Sequence, residues 1–219
     1  ILQCITNPSV AMTEELMKRV DLVIATGGRP MVKAAYSSGT PAYGSGAGNA
    51  TMIYDETTNI DEATYNTMLS KTSDYGSGCS ADGNIIIYDK IYDDVLKGLE
   101  KHGGYLANAK EREMLKKVMW DEEGHRLSDT VAIAPQKLAE AAGFTIPADR
   151  KFIVVEGDGI GKEYPFSGEK LTTLLATHKY SGEFENALDV MREIYEVGGK
   201  GHSVGIYSFD EDHINRLAL

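Results

Sequence analysis

The chain has 219 residues, 42% of them hydrophobic and 25% charged, which supports a packed core and excludes disorder as its main state. With 22 Lys and Arg against 33 Asp and Glu, its formal charge of −11 argues against a surface for nucleic acid, which needs a basic face. No apolar run approaches the ~20 residues needed to span a bilayer, so no membrane partner is expected either.

In chain order, residues 1–5 (ILQCI) read as a strand that places Cys4 in the core. Residues 13–20 read as a short helix with Thr13 as N-cap and Glu14 and Glu15 in its first turn. Residues 21–25 form a second apolar strand running into Thr26-Gly27-Gly28, and residues 30–38 look helical, with Pro30 in the first turn. The glycine-rich stretch 44–49 follows. Residues 51–54 read as a strand, 61–70 as a helix and 73–80 as a loop of small polar residues. Residues 84–88 form the next strand, with helices from Tyr92 to the Gly103-Gly104 stop, over 109–120, and over 136–142 before Gly143. Strands over 152–156 and 171–178, a helix over 184–197 and a last strand over 202–208 complete the pattern. Such alternation indicates an α/β fold with a mostly parallel sheet. The chain opens within an apparent strand and stops at Leu219 without a closing turn, so it is expected to be a fragment of a longer protein.

Five features could carry chemistry. Cys79 lies between Gly78 and Ser80, just before an apolar strand, where small neighbours let a substrate approach a nucleophilic sulfur. A buried, inert cysteine is the commoner alternative. Thr26-Gly27-Gly28 at a strand-to-helix turn can present backbone N–H groups to a ligand, or simply make a tight turn. Gly44 to Asn49 is either a ligand approach or a linker, and it lacks the Lys-Ser/Thr of a phosphate-binding loop. Glu169-Lys170, between a turn and a strand, could bind hydroxyl groups or form a surface ion pair. His202, between Gly201 and Ser203, is a candidate acid/base or a structural histidine. No His/Cys/Asp cluster shows metal-ligand spacing in the sequence, so no metal is expected. Two cysteines make no disulfide framework, which suits a reduced, cytoplasmic setting.

Taken in order, these strings resemble the CoA-acylating branch of the aldehyde dehydrogenase superfamily. The resemblance rests on residues 24–28 (IATGG), 32–42 (VKAAYSSGTPA), 44–49 (GSGAGN), Ser70-Lys71-Thr72, Cys79-Ser80, 164–171 (YPFSGEKL) and 199–205 (GKGHSVG). Within that branch the last two strings look most like acylating sulfoacetaldehyde dehydrogenases, with acetaldehyde and succinate-semialdehyde enzymes close behind. The resemblance implies a three-layer α/β sandwich with a partial Rossmann-like segment. Residues 1–45 would be the C-terminal part of a nicotinamide-cofactor domain, and residues 46–219 the catalytic domain. It implies an oxidoreductase that converts an aldehyde to an acyl-CoA, with NAD or NADP as hydride acceptor and coenzyme A as co-substrate. Cys79 would carry a thioester, His202 would act at the active site, and Thr26, Gly27, Gly28 and Glu169 would bind the cofactor, Glu169 through the ribose hydroxyls. The Cys79 backbone N–H would help hold the oxyanion. A homo-oligomer is expected when the protein is full length, in the cytoplasm or a bacterial metabolic compartment.

The sequence departs from related patterns at three points. Hydrolytic members carry a general-base glutamate about thirty-four residues before the cysteine, and Ser45 stands there, which favours thiolysis over hydrolysis. Acylating members usually place Glu two or three residues after the cysteine, where this chain has Asp82. They commonly show Phe-Asp-Asn-Gly before it, where this chain has Ser73-Asp74-Tyr75-Gly76. A sulfonate substrate would want cationic partners, for which Arg29 and Lys170 are the candidates. The competing readings are a hydrolytic aldehyde dehydrogenase and a non-enzymatic binding or assembly module.

Overall fold

A computed structural model describes residues 2–200 and 202–218; Ile1, Gly201 and Leu219, which the readings of the first strand, the GKGHSVG string and the chain end include, lie outside the described residues. The chain divides into two compact units, Ile1–Ala47 and Gly48–Leu219.

In the first unit, α1 (Val10–Arg19) precedes β1 (Val23–Thr26), α2 (Arg29–Tyr36) and β2 (Ala42–Ser45). The two strands pair in parallel, Val23 with Ala42 through Thr26 with Ser45. Met17, Val23, Ala25 and Ala35 form a small core. Helix α1 starts three residues before the expected Thr13, because the Ser9 hydroxyl accepts the Met12 N–H at 3.2 Å and caps the helix. Thr13 instead donates its hydroxyl to the Ser9 carbonyl one turn back. The expected first strand is absent among the described residues: Leu2 and Ile5 are exposed, and residues 2–5 pair with no strand. Cys4 is accordingly exposed, not core. An apolar run becomes a strand only where a partner edge accepts its hydrogen bonds.

The second unit holds β3 (Thr51–Tyr54), α3 (Ile60–Thr72), β4 (Asn84–Tyr88), α4 (Tyr92–Lys101), β5 (Gly104–Leu106), α5 (Ala109–Met119), α6 (Pro135–Ala142), β6 (Phe152–Glu156), β7 (Leu174–Tyr180), α7 (Phe184–Gly198), β8 (Val204–Tyr207) and α8 (Glu211–Ala218). Its six strands run parallel in the order β5-β6-β7-β4-β3-β8. Side chains alternate faces along each strand, so Ile85, Ile87, Phe152 and Val154 pack with Ala63, Met68, Tyr92, Val95 and Leu99 of α3 and α4. Ile153, Val155, Leu174 and Ala176 pack against α5 and α6 on the other face. Ile53, Ile86 and Tyr180 meet Phe184, Leu188 and Ile194 of α7 there. These are the three layers the sequence implied, and burial on both faces explains the continuous apolar runs of the central strands.

Helix ends follow local chemistry. Asn59 caps α3 by accepting the Glu62 N–H, and Asn108 with Glu111 forms a reciprocal capping box on α5. Gly143 closes α6 in the left-handed region, as its position suggested. Strand β7 begins three residues later than expected, because Leu171 has φ of 51° and turns the chain first. No helix of the described residues is long and apolar enough to cross a membrane.

Candidate active site

The candidate residues of the second unit gather at the amino ends of its central strands, not at the carboxyl ends where open α/β sheets usually bind ligands. The shared register places Thr51, Asn84, Ala176 and Val204 side by side at those ends. The segments entering β3, β4, β7 and β8 therefore converge, carrying Asn49, Cys79, Glu169 and His202.

Cys79 is exposed, and its loop lines a cavity of about 10 Å³ together with Lys71, Asn49, Gly76, Glu169 and Lys170. That volume admits about one water-sized sphere. The approach to Cys79 is strained: Asp74, Tyr75 and Gly76 have φ of 47°, 52° and 65° in succession. Such left-handed runs of non-glycine residues persist only where the surroundings hold them, and they collect at functional sites. Gly76 is also required sterically, since a Cβ there would lie 2.6 Å from the Thr172 carbonyl oxygen.

Glu169 is half-buried. Desolvation raises its pKa, against the opposing influence of His202 and a hydrogen bond from the Gly48 N–H. His202 lies directly over Gly48, where a Cβ would approach the imidazole to 2.4 Å, and its Nδ1 lies 3.0 Å from the Ser203 hydroxyl. Cys79, Glu169 and His202 thus belong to one neighbourhood. Thr26, Gly27 and Gly28 belong to the first unit: Thr26 ends β1, the Gly27 N–H donates to the Ser45 carbonyl at 3.1 Å, and Gly28 is the N-cap of α2 without a side-chain cap. The first N–H groups of α2 therefore have no side-chain acceptor from their own cap.

Beneath this surface lies a buried polar network, of which sequence reading missed Asn84 and His178. Lys170 is 1% exposed, and its ammonium donates to the Phe166 carbonyl at 2.5 Å, the Gly168 carbonyl at 2.7 Å and Asn84 Oδ1 at 3.1 Å. Its amine is engaged by three acceptors, so Lys170 is a structural group and no partner for a sulfonate. Burial drives its pKa well down, reinforced by the charge of Lys71. Asn84 Nδ2 donates to Asn49 Oδ1 at 2.7 Å, and Asn49 Nδ2 donates to the Ser167 carbonyl at 2.7 Å and the Ile194 carbonyl at 3.2 Å. His178 Nε2 lies 3.2 Å from Asn84 Oδ1; burial, then Lys170, pushes its pKa down to about 3, which keeps the ring neutral at physiological pH. Asn84→Ala should destabilise the fold by about 3 kcal/mol, since it strips one acceptor from Lys170 and leaves buried groups of Asn49 and His178 without a partner, worth ~1–3 kcal/mol each. Chemical denaturation checks this, and an unchanged midpoint would show the network to be dispensable.

At the opposite end of the sheet, Asp55 is fully buried and accepts hydrogen bonds from Ser208, Thr57 and, at 2.8 Å, His213 Nδ1. Together with Glu56 these groups form an acidic cluster. A spacing of 158 residues hides it from sequence reading, and the hydrogen bonds tie α8 to β3.

The comparisons can be set beside this geometry. No family model matches the chain. A sulfoacetaldehyde dehydrogenase from Acholeplasma sp is 38% identical over 222 residues, covering 99% of this chain and 45% of the relative. Among solved structures, an acetylating aldehyde dehydrogenase from Geobacillus thermoglucosidasius superposes with a TM-score of 0.94 at 41% identity, covering 99% of this chain and 48% of that one. The propionaldehyde dehydrogenase of Rhodopseudomonas palustris with bound propionyl-CoA gives 0.87 at 27% identity over 96% of this chain and 46% of its own. An engineered glycolyl-CoA reductase with bound NADP+ gives 0.88 at 27% identity over 96% of this chain and 47% of its own. The chain spans about half the length of these proteins. Over that half, in sequence and in fold, the chain is similar to the CoA-acylating aldehyde dehydrogenases.

Proposed function

We propose that the full-length protein oxidises an aldehyde to an acyl-CoA through a thioester on Cys79, with NAD or NADP as hydride acceptor. The observation that carries this reading is the convergence of an exposed loop thiol, a half-buried carboxylate and an imidazole at the amino ends of one sheet. When bound, the nicotinamide supplies the hydride acceptor. The chain's own residues do the rest. The Cys79 sulfur attacks the carbonyl carbon, and its own N–H faces the developing oxyanion. Glu169 holds the ribose hydroxyls of the cofactor, Thr26, Gly27 and Gly28 form the turn on the cofactor side, and His202 serves the acyl-transfer step. Residues 1–45 are the end of the cofactor domain and residues 46–219 the catalytic domain. The relatives' names support this activity, and complexes with NADP+ and propionyl-CoA support the two co-substrates. Sulfoacetaldehyde is the substrate we favour, on the resemblance of the YPFSGEKL and GKGHSVG strings and the name of one relative. The thiol chemistry requires a reduced cysteine, which fits a cytoplasmic setting. We expect a homo-oligomer.

Turnover of sulfoacetaldehyde, acetaldehyde and succinate semialdehyde with CoA and each nicotinamide decides substrate and cofactor together. Acyl-CoA from none of them would overturn the reading. Glu169→Gln should weaken nicotinamide binding at least about tenfold, since charge-assisted hydrogen bonds contribute ~1.5–3 kcal/mol. Cys79 should still be alkylated by iodoacetamide in that variant. Unchanged cofactor affinity and hydride-transfer rate would leave Glu169 as a charge without a binding role.

A further inference from the structure

Lys71 stands out among the buried cations. It is 1% exposed, on the last turn of α3, and among the described residues its ammonium has no hydrogen-bond or ion-pair partner within bonding distance. Lys170, equally buried, has three acceptors. An ammonium has three donors, and those of Lys71 are left for whatever polar group reaches them. Lys71 lines the same small cavity as Cys79, and a Cβ on Gly76, in the loop leading to Cys79, would lie 3.1 Å from its Nζ. The enclosed part of the cavity admits about one oxygen-sized atom. A spare cationic donor facing a one-atom space beside a nucleophile suits an oxygen that becomes negative during the reaction.

We propose that the Lys71 ammonium takes up the negative charge that forms on the aldehyde oxygen as the Cys79 sulfur adds to the carbonyl carbon. The inference rests on Cys79 being the nucleophile of the proposed function. In this step the sulfur–carbon bond forms from a thiolate lone pair, the carbonyl π pair moves onto oxygen, and a Lys71 N–H donates to that oxygen. No proton or electron leaves the group. Charged and titratable groups face Lys71 from each side: Asp82 and Cys79 from the loop before β4, and Glu169 and Lys170 from the segment before β7. Burial lowers the Lys71 pKa to about 8, with Asp82 opposing the shift, while burial raises that of Asp82. The ammonium is therefore the main form at neutral pH and is lost as pH rises through about 8.

The test uses the full-length protein with CoA and, in turn, sulfoacetaldehyde, acetaldehyde and succinate semialdehyde, wild type beside Lys71→Met and Lys71→Arg. Lys71→Met should lower kcat/KM by about 100-fold or more, the usual loss on removing one oxyanion donor. Alkylation of Cys79 by iodoacetamide builds no carbonyl oxyanion, so its rate should stay within about threefold. Lys71→Arg stays charged across the working range, so the alkaline fall in kcat/KM near pH 8 should move upward. A kcat/KM within about threefold of wild type in Lys71→Met would overturn the proposal. A parallel loss of alkylation and turnover would overturn it too, by assigning Lys71 to the thiol or to the fold. Wild-type protein that is alkylated at Cys79 but makes no acyl-CoA would instead bring down the acylating reading, and the role of Lys71 with it.

Discussion

Cys79→Ala is expected to abolish acyl-CoA formation by the full-length protein, by at least ~10⁴-fold, the scale on which removal of a catalytic nucleophile acts. The fold should hardly notice. Cys79 is exposed in a loop, and such surface substitutions usually change stability by less than ~0.5 kcal/mol. The thermal midpoint and the turnover should therefore separate cleanly. Cys4→Ser provides the control: Cys4 is also exposed, but it lies in an unpaired stretch of the first unit, and its removal should leave turnover unchanged. Turnover within severalfold of wild type in Cys79→Ala would remove the thioester from the mechanism.

The second large effect concerns the acceptor. Where hydrolytic relatives carry a general-base glutamate, this sequence has Ser45, which ends β2. A general base contributes ~10²–10⁴-fold to proton transfer, and water attacking a thioester needs that help. A thiol needs less, because a few per cent of it is already thiolate near neutral pH and that form is strongly nucleophilic. With saturating CoA, acyl-CoA should therefore dominate over free acid by roughly the same 10²–10⁴ ratio. Mostly free acid, formed at an unchanged rate without CoA, would restore the hydrolytic alternative.

The elements most legible in the sequence were those buried on both faces. Strands β3, β4 and β6 are centred on their apolar runs, because parallel strands in a three-layer fold need continuous apolar residues. Strand β2 was hidden by its own glycine and by the glycine-rich stretch it enters, and β5 has three residues, too few for a period. Helix α8 is hard to read because its eight residues at the chain end are mostly polar and charged. At the site, Cys79, Glu169 and His202 could be singled out because each sits in a short string with an unusual neighbour. Asn84 and His178 could not, and Lys71 and Asn49 stood out only as parts of longer strings, without a role of their own. Each looks ordinary in its own segment and acquires meaning only where distant segments meet, as Lys170 lost its suspected role once its three acceptors were in view.

That meeting of distant segments bears on how the protein is made. Asn49 finds its acceptors on Ser167 and Ile194, 118 and 145 residues further along the chain. At a synthesis rate of ~5–20 residues per second, the ribosome delivers Ile194 roughly 7–30 s after Asn49. Through that interval β3 and β4, which neighbour each other in the sheet, can pair while the amide groups at their amino ends still lack their final partners. The nascent chain thus carries an apolar two-stranded nucleus before the polar groups that will set the geometry around Cys79 are satisfied. Chaperone demand should be greatest in that window, and it should end when α7 emerges and closes the network.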